Sequence, residues 1–232
     1  MHRMHNEPKT KDGPQTSGST IHWAAEYDFF MNLLGMGTNR ANSRMVVELA
    51  GIQPGERVLD VGCGTGRLTL TARAYTGPSG AVYGIDAAPE MIEVARKNAE
   101  RSTLNVVFDV GLIEDLPFQE ASFDAVINRL VIHHLPNDLK HKGFAEILRV
   151  LKPGGRLLIA DFTPPRNPVL NHITGALIGG HMMQSDVSIL PGMLREAGFV
   201  EVASGPTRSS FLGYVSGKKR RVGSEIWRFI LH

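Results

Sequence analysis

Cysteine is almost missing from this chain: Cys63 is the only one among 232 residues. An intrachain disulfide is therefore excluded, and a single thiol suits a reducing compartment. No apolar run reaches the ~20 residues of a membrane-spanning helix. The least polar stretch, residues 168–183, is interrupted by Asn171, His172, Thr174 and His181, so no stable membrane insertion is expected. Neither sign of charge prevails; a formal net charge of +2 leaves no broad basic surface, and nucleic acid is not expected as a partner. Residues 1–18 have no apolar core of the kind a signal peptide carries, and read as a disordered polar tail. Metal-ligand spacings are missing too, because the nine histidines form neither H-E-x-x-H nor a cysteine–histidine set. What remains, 42% hydrophobic and 21% charged, is the composition of a soluble globular protein, expected in the cytoplasm from its lone cysteine.

Glycine, by contrast, is concentrated where it matters. The apolar run Val58-Leu59-Asp60-Val61 leads into Gly62-Cys63-Gly64-Thr65-Gly66, and a helix-forming segment follows. Glycines at alternate positions let the backbone turn sharply and come close to a ligand. A second strand, Ala81-Val82-Tyr83-Gly84-Ile85-Asp86, ends in a carboxylate. Asp86 lies about 20 residues beyond Gly66, the separation at which a Rossmann-type acid meets a ribose hydroxyl. A dinucleotide fingerprint would need glycine three residues after Gly64, where Arg67 stands, and no Gly-Lys-Ser/Thr of a phosphate loop follows. The spacing thus points to a nucleoside pocket that is not a nicotinamide site.

Strand and helix signals alternate from about residue 57 to residue 202, which predicts a parallel sheet with helices on both faces. The third, fourth and fifth strands are expected at 105–110, 123–128 and 157–161. Phe144, Ile147, Leu148 and Leu151 recur at helical spacing, and Lys152-Pro153-Gly154-Gly155 is expected to stop that helix. Helical residues 193–197, a sixth strand at 199–203 and a seventh at 211–216 follow. The short link between the last two suits a hairpin, so the final strand should be antiparallel. The organisation expected is a polar tail at 1–18, a helical cover at 19–50, a core at 51–217 with an insert at 163–189, and a basic tail at 218–232. Inserts of this kind lie over the carboxyl ends of the strands, so this one is the expected lid and acceptor pocket.

These motifs resemble class I S-adenosylmethionine-dependent methyltransferases, most closely the UbiE-like, "type 11" group. The resemblance rests on VLDVGCGTG (58–66), VYGIDAAPEMIEVAR (82–96), EDLPF (114–118), SFDAVIN (122–128), EILRVLKPGGRLLIADF (146–162) and LREAGFVEV (194–202). It implies a Rossmann-like seven-stranded, mostly parallel sheet with an antiparallel last strand. It also implies S-adenosyl-L-methionine as cofactor and S-adenosyl-L-homocysteine as product. By the same resemblance, Gly62, Cys63 and Gly64 supply backbone contacts to the amino-acid end, and Asp60 orients the loop or meets the ammonium. Asp86 accepts the ribose hydroxyls, Ala87 and Met91 line the adenine, and Asn128 lies near the amino-acid end. Tyr27, in an A-x-x-Y-D-like segment, closes over the cofactor. One departure stands out: relatives often carry an aspartate for the adenine amino group where this chain has Leu112, leaving the Ile113 backbone N–H and apolar packing.

Methyl transfer needs an aligned nucleophile, exclusion of water and sometimes a base. His133 and His134 follow the fourth strand and are candidates, although a similar pair in relatives with different acceptors suits a structural role. His181, in the insert, is the third candidate; His172 is weaker. Asp161 ends the fifth strand, where it either faces the pocket or caps a helix. Cys63 reads as a small packed residue, and Lys218, Lys219, Arg220 and Arg221 as a solvated basic run. The expected partner is a small, hydrophobic acceptor, quinone-like, lipid-like or a natural product, and a homodimer is possible. The rival reading is a cofactor-binding regulatory or assembly protein without transferase activity.

Overall fold

Alternate residues along the apolar strands point to opposite sides, and helices cover both. The computed structural model describes residues 40–163, 187–209 and 212–221. In chain order these form α1 (Arg40–Leu49), β1 (Arg57–Val61), α2 (Arg67–Thr76), β2 (Ala81–Asp86), α3 (Pro89–Ser102), β3 (Val107–Val110), β4 (Phe123–Arg129), α4 (Asn137–Val150), β5 (Leu151–Phe162), α5 (Leu190–Glu196), β6 (Val200–Pro206) and β7 (Leu212–Lys218). They make one seven-stranded sheet in the order β3-β2-β1-β4-β5-β7-β6. Strands β1 to β5 pair in parallel, and β7 runs antiparallel to both β5 and β6, as the short connection requires.

The two-residue period sorts the core. Leu59, Val126, Leu157 and Ile159 face one side, where Phe144 and Ile147 of α4 and Leu194 of α5 meet them. Val58, Ala125, Ile127, Leu158 and Ala160 face the other, against Val46 and Val47 of α1 and Leu68 and Ala72 of α2. With both faces covered, the central strands read as nearly continuous apolar runs. Phe144 is fully buried in the larger cluster, so Phe144→Ala should cost about 3–5 kcal/mol, measured as an earlier urea midpoint.

Several boundaries differ from expectation by a few residues, with β6 running on to Pro206 and β7 to Lys218, and two others differ for a visible reason. Strand β5 begins at Leu151, directly after α4, because Leu151 already pairs with Phe123. Pairing then jumps to Ala125 with Arg156, so Lys152, Pro153, Gly154 and Gly155 form a bulge inside the strand instead of a terminator before it. Lys152 Nζ pins the bulge on the Asp124 carboxylate at 2.7 Å. Strand β3 begins late, at Val107; the Asn105 carbonyl instead accepts a hydrogen bond from Arg73 Nε at 2.9 Å.

The chain leaves β1 for β2 on one side, while β4 lies on its other side. Such a reversal opens a crevice at the carboxyl ends of the strands, where ligands of open α/β sheets bind. Here the crevice is bounded by the turns after β1, β2 and β4.

Candidate active site

At the end of β1 the backbone donors are spent on the protein itself. The Gly62 and Cys63 N–H groups both donate to the Ile85 carbonyl, at 2.8 and 2.9 Å. Gly64 N–H donates to Asp86 Oδ2 at 2.8 Å, and Gly66 N–H to the Cys63 carbonyl at 3.0 Å. A pyrophosphate needs free N–H groups at such a turn. These four are committed, so the turn offers a ligand carbonyl oxygens and bare backbone, which suit an ammonium. The expected contacts from Gly62, Cys63 and Gly64 must therefore run through carbonyls and close approach, not N–H donation.

Both leading glycines are needed, for different reasons. Gly62 has φ +71°, and a Cβ there would fall 2.3 Å from Val131 Cγ2. The loop after β4 thus lies against this turn. Gly64 has φ +52°, with nothing within 4 Å of where its Cβ would stand. That open space, at the residue whose N–H binds the Asp86 carboxylate, leaves a cradle beside the turn.

Asp86 is held in a fixed pose. Its Oδ2 accepts from Gly64 N–H, and its Oδ1 from Ala88 N–H at 3.0 Å. Each oxygen keeps a second lone pair, enough for two vicinal hydroxyls. Burial raises its pKa, and the Ala88 and Gly64 donors oppose that rise. Ala87 is half-buried, and Met91 is buried beside Ala88. Ile113 turns its side chain into the core, where a Cβ on Gly143 would lie 2.8 Å from Ile113 Cγ1, so only its backbone is left for a base. Leu112 is half-buried and its carbonyl accepts from Asp115 N–H at 3.3 Å; Asp115 itself is exposed.

Beneath the turn lie two buried polar groups, each with one oxygen that has no hydrogen-bond partner among the described residues. Asp60 Oδ2 accepts from Thr69 Oγ1–H at 2.6 Å, and Asp60 Oδ1 is left over. Asn128 Nδ2 donates to the Val61 carbonyl at 2.8 Å, and Asn128 Oδ1 is left over. Asn128 lies inside β4, which runs on to Arg129, so it clamps β4 to β1 and is not a turn residue. Burial pushes the Asp60 carboxyl up to about 7, with the Thr69 hydroxyl and Arg129 opposing and Asp86 adding to it.

That shift has a consequence for stability. The folded chain keeps a proton that the unfolded chain releases above an ordinary 3.8, so stability should fall as pH rises from about 4 to about 7 and then level off. Asp86 contributes in the same direction. Asp60→Asn should flatten most of this fall, as read from urea midpoints across the same range.

The loop after β4 carries the paired histidines. His133 Nδ1 lies 2.6 Å from Asp161 Oδ1, with both side chains 2% exposed. Asp161 also accepts the His133 backbone N–H at 3.2 Å and the Phe162 N–H at 2.7 Å. The His134 ring lies 3.9 Å from that of His133, centroid to centroid, tilted by 42°. Burial, reinforced by the neighbouring His133, pushes the His134 imidazole down to about 4, so it is neutral at pH 7. Lys140 of α4 is buried nearby, with Nζ 3.3 Å from Asn137 Oδ1.

Comparison with known proteins gives this arrangement a family. Residues 52–203 match the family model described as a methyltransferase domain. The chain belongs to the methyltransferase family. It is of the class I, S-adenosylmethionine-dependent kind, in the UbiE-like group. The chain is 38% identical over 149 residues to the ubiquinone/menaquinone biosynthesis C-methyltransferase UbiE of Ectopseudomonas mendocina, covering 63% of this chain and 57% of that protein. With the protein of that name from Stutzerimonas stutzeri it shares 31% identity over 222 residues, covering 85% of this chain and 86% of that one. A crystal structure of a SAM-dependent methyltransferase from Aquifex aeolicus superposes with a TM-score of 0.62 at 22% identity, covering 77% of this chain and 89% of that one. That likeness concerns the fold. The match to the first of these relatives spans little more than half its length.

The structure gathers the candidates Asp60, Gly62, Cys63, Gly64, Asp86 and Asn128 at and beneath the turn after β1. Tyr27 and His181, together with His172 and nearly all of the insert, lie outside the described residues. Cys63 is buried, and burial, with Asp86 and Asp60 nearby, pushes its thiol well up, which suits packing and not nucleophilic attack. Sequence reasoning missed the pairing of His133 with Asp161, which are 28 residues apart. The only available signal was that both stand where neighbouring strands end. Among the described residues, no group of three or more His, Cys, Asp or Glu is placed to hold a metal ion, and no helix is long and apolar enough to cross a membrane.

Proposed function

We propose that this chain transfers a methyl group from S-adenosylmethionine to a small, hydrophobic acceptor of the hydroquinone class. The observation that carries the reading is the cradle at Gly64, open to a ligand and bordered by the fixed Asp86 carboxylate. When bound, the cofactor supplies an electrophilic methyl group on a good leaving group. The chain has to hold both partners and manage a proton.

Asp86 would take the ribose hydroxyls. The Gly62 carbonyl suits the ammonium end, with the buried leftover oxygens of Asp60 and Asn128 behind the turn. Ala87, Met91, Leu112 and the Ile113 backbone would meet the adenine, without the carboxylate that relatives often place there. Tyr27 would close the site, and His133, His134 and His181 are the candidates for handling the proton. The hydroquinone class is supported by the names of the UbiE relatives, which are C-methyltransferases of ubiquinone and menaquinone biosynthesis.

The test is transfer of labelled methyl from S-adenosylmethionine to a prenylated 1,4-naphthohydroquinone by the full chain. Label should appear in the naphthohydroquinone with an equal amount of S-adenosylhomocysteine. Binding of the cofactor with no label in that probe, in a phenol or in a phospholipid would instead favour a regulatory protein.

A further inference from the structure

We propose that Asp161 and His133 form the proton-accepting pair of this site, Asp161 being a positioning residue that fixes the imidazole so that Nε2 takes the acceptor's hydroxyl proton. The inference rests on the methyl-transfer reading above.

The first argument is geometric. Asp161 Oδ1 stands 2.6 Å from His133 Nδ1, and its oxygens also accept the His133 and Phe162 backbone N–H groups at 3.2 and 2.7 Å. Burial alone would raise this carboxyl, yet the His133 ring and these donors hold it below the usual carboxylate range. A carboxylate fixed in this way keeps the proton on Nδ1, which makes Nε2 the accepting nitrogen of the ring. The second argument is position. His133 stands two residues beyond Val131, the side chain that abuts the Gly62 turn, in the loop bordering the cofactor crevice. The third is energetic: a carboxylate buried against a neutral imidazole is costly to desolvate, and perturbed, paired groups of this kind cluster at functional sites.

The neighbours agree with this role. His134, on the same turn, is neutral at pH 7, so it does not add a second positive charge beside the His133 ring. Lys140, on α4, is pushed down by burial, with Asp161 opposing. Asp161 is thus the anion facing the His133 ring among the described residues. In the step itself the acceptor O–H bond breaks and its proton moves to Nε2. The electron pair left on the acceptor forms the bond to the methyl carbon, directly or through the ring, as the carbon–sulfur bond breaks with its electrons remaining on sulfur; where a ring carbon is methylated, its hydrogen then leaves as a proton to water and the oxygen takes a proton back. His133 afterwards releases the proton to water.

The experiment combines nitrogen and proton NMR of the histidine rings with kinetics, using the full chain, S-adenosylhomocysteine for the spectra and the prenylated naphthohydroquinone for turnover. In the native chain His133 should show an Nδ1–H tautomer and a downfield Nδ1 proton. Asp161→Asn should abolish that resonance and lower kcat by about 100-fold with KM little changed. Should Asp161→Asn fail to fold, His133→Asn keeps a donor toward Asp161 and removes Nε2; it should melt near the native temperature and lose kcat similarly. Native tautomer and rate in Asp161→Asn, or full kcat in His133→Asn, would overturn the proposal. Absence of any turnover by the native chain would instead count against the methyl-transfer reading, and the tautomer measured by NMR would still decide the pair.

Discussion

Replacing Asp86 by alanine should reduce affinity for S-adenosylhomocysteine by about 100-fold or more while the chain stays folded. A hydrogen bond to a charged acceptor contributes about 1.5–3 kcal/mol, and two ribose hydroxyls share this carboxylate. Their sum, about 3–6 kcal/mol, corresponds to ~100- to 20,000-fold in the dissociation constant. The same carboxylate holds the Gly64 and Ala88 N–H groups, so part of the loss would come from loosening of the turn. The fold should tolerate the change, because burial already disfavours the charged form of Asp86. Asp86→Asn keeps one oxygen and should lose less. Titration calorimetry gives the affinities and a thermal scan the stability; alanine binding within threefold of native would remove Asp86 from the site.

The second large effect separates two glycines only two residues apart. Gly64→Ala places a methyl group where nothing lies within 4 Å, so the only cost to the fold is a left-handed backbone, about 1–2 kcal/mol. That methyl group occupies the ligand's space, and cofactor binding should disappear. Gly62→Ala instead drives a carbon to 2.3 Å from Val131 Cγ2 and 2.8 Å from Cγ1. Overpacking adds about 1–3 kcal/mol to the same backbone cost, so this variant should lose stability as well as binding. Val131→Ala introduced beside Gly62→Ala should restore part of the stability and leave Gly64→Ala unaffected. Melting temperatures and S-adenosylhomocysteine titrations of the four variants test the set.

Much of the site was legible because its residues carry local constraints. Gly62 and Gly64 are set by backbone conformation, and Asp86 by its place at the end of a strand one turn from the glycines. The parallel sheet followed from alternating strands and helices, and the antiparallel β7 from the short link before it. The bulge at residues 152–155 was not legible, since Pro-Gly-Gly reads alike as a terminator and as an irregularity within a strand. The committed N–H groups of the turn were equally hidden, as they depend on the Ile85 carbonyl across the sheet. Asp161 and His133 meet only because β4 and β5 are neighbours, and nothing local in either segment reports the other.

The claim on which the rest depends is that the turn after β1 holds an adenosyl amino acid and not a dinucleotide. Titration calorimetry of the full native chain with S-adenosylhomocysteine and, separately, with NAD tests it most directly. Saturable one-to-one binding of the first, none of the second, and loss of the first in Asp86→Ala is the predicted outcome. A folded native chain that gives no heat with S-adenosylhomocysteine, or that binds NAD in its place, would contradict it.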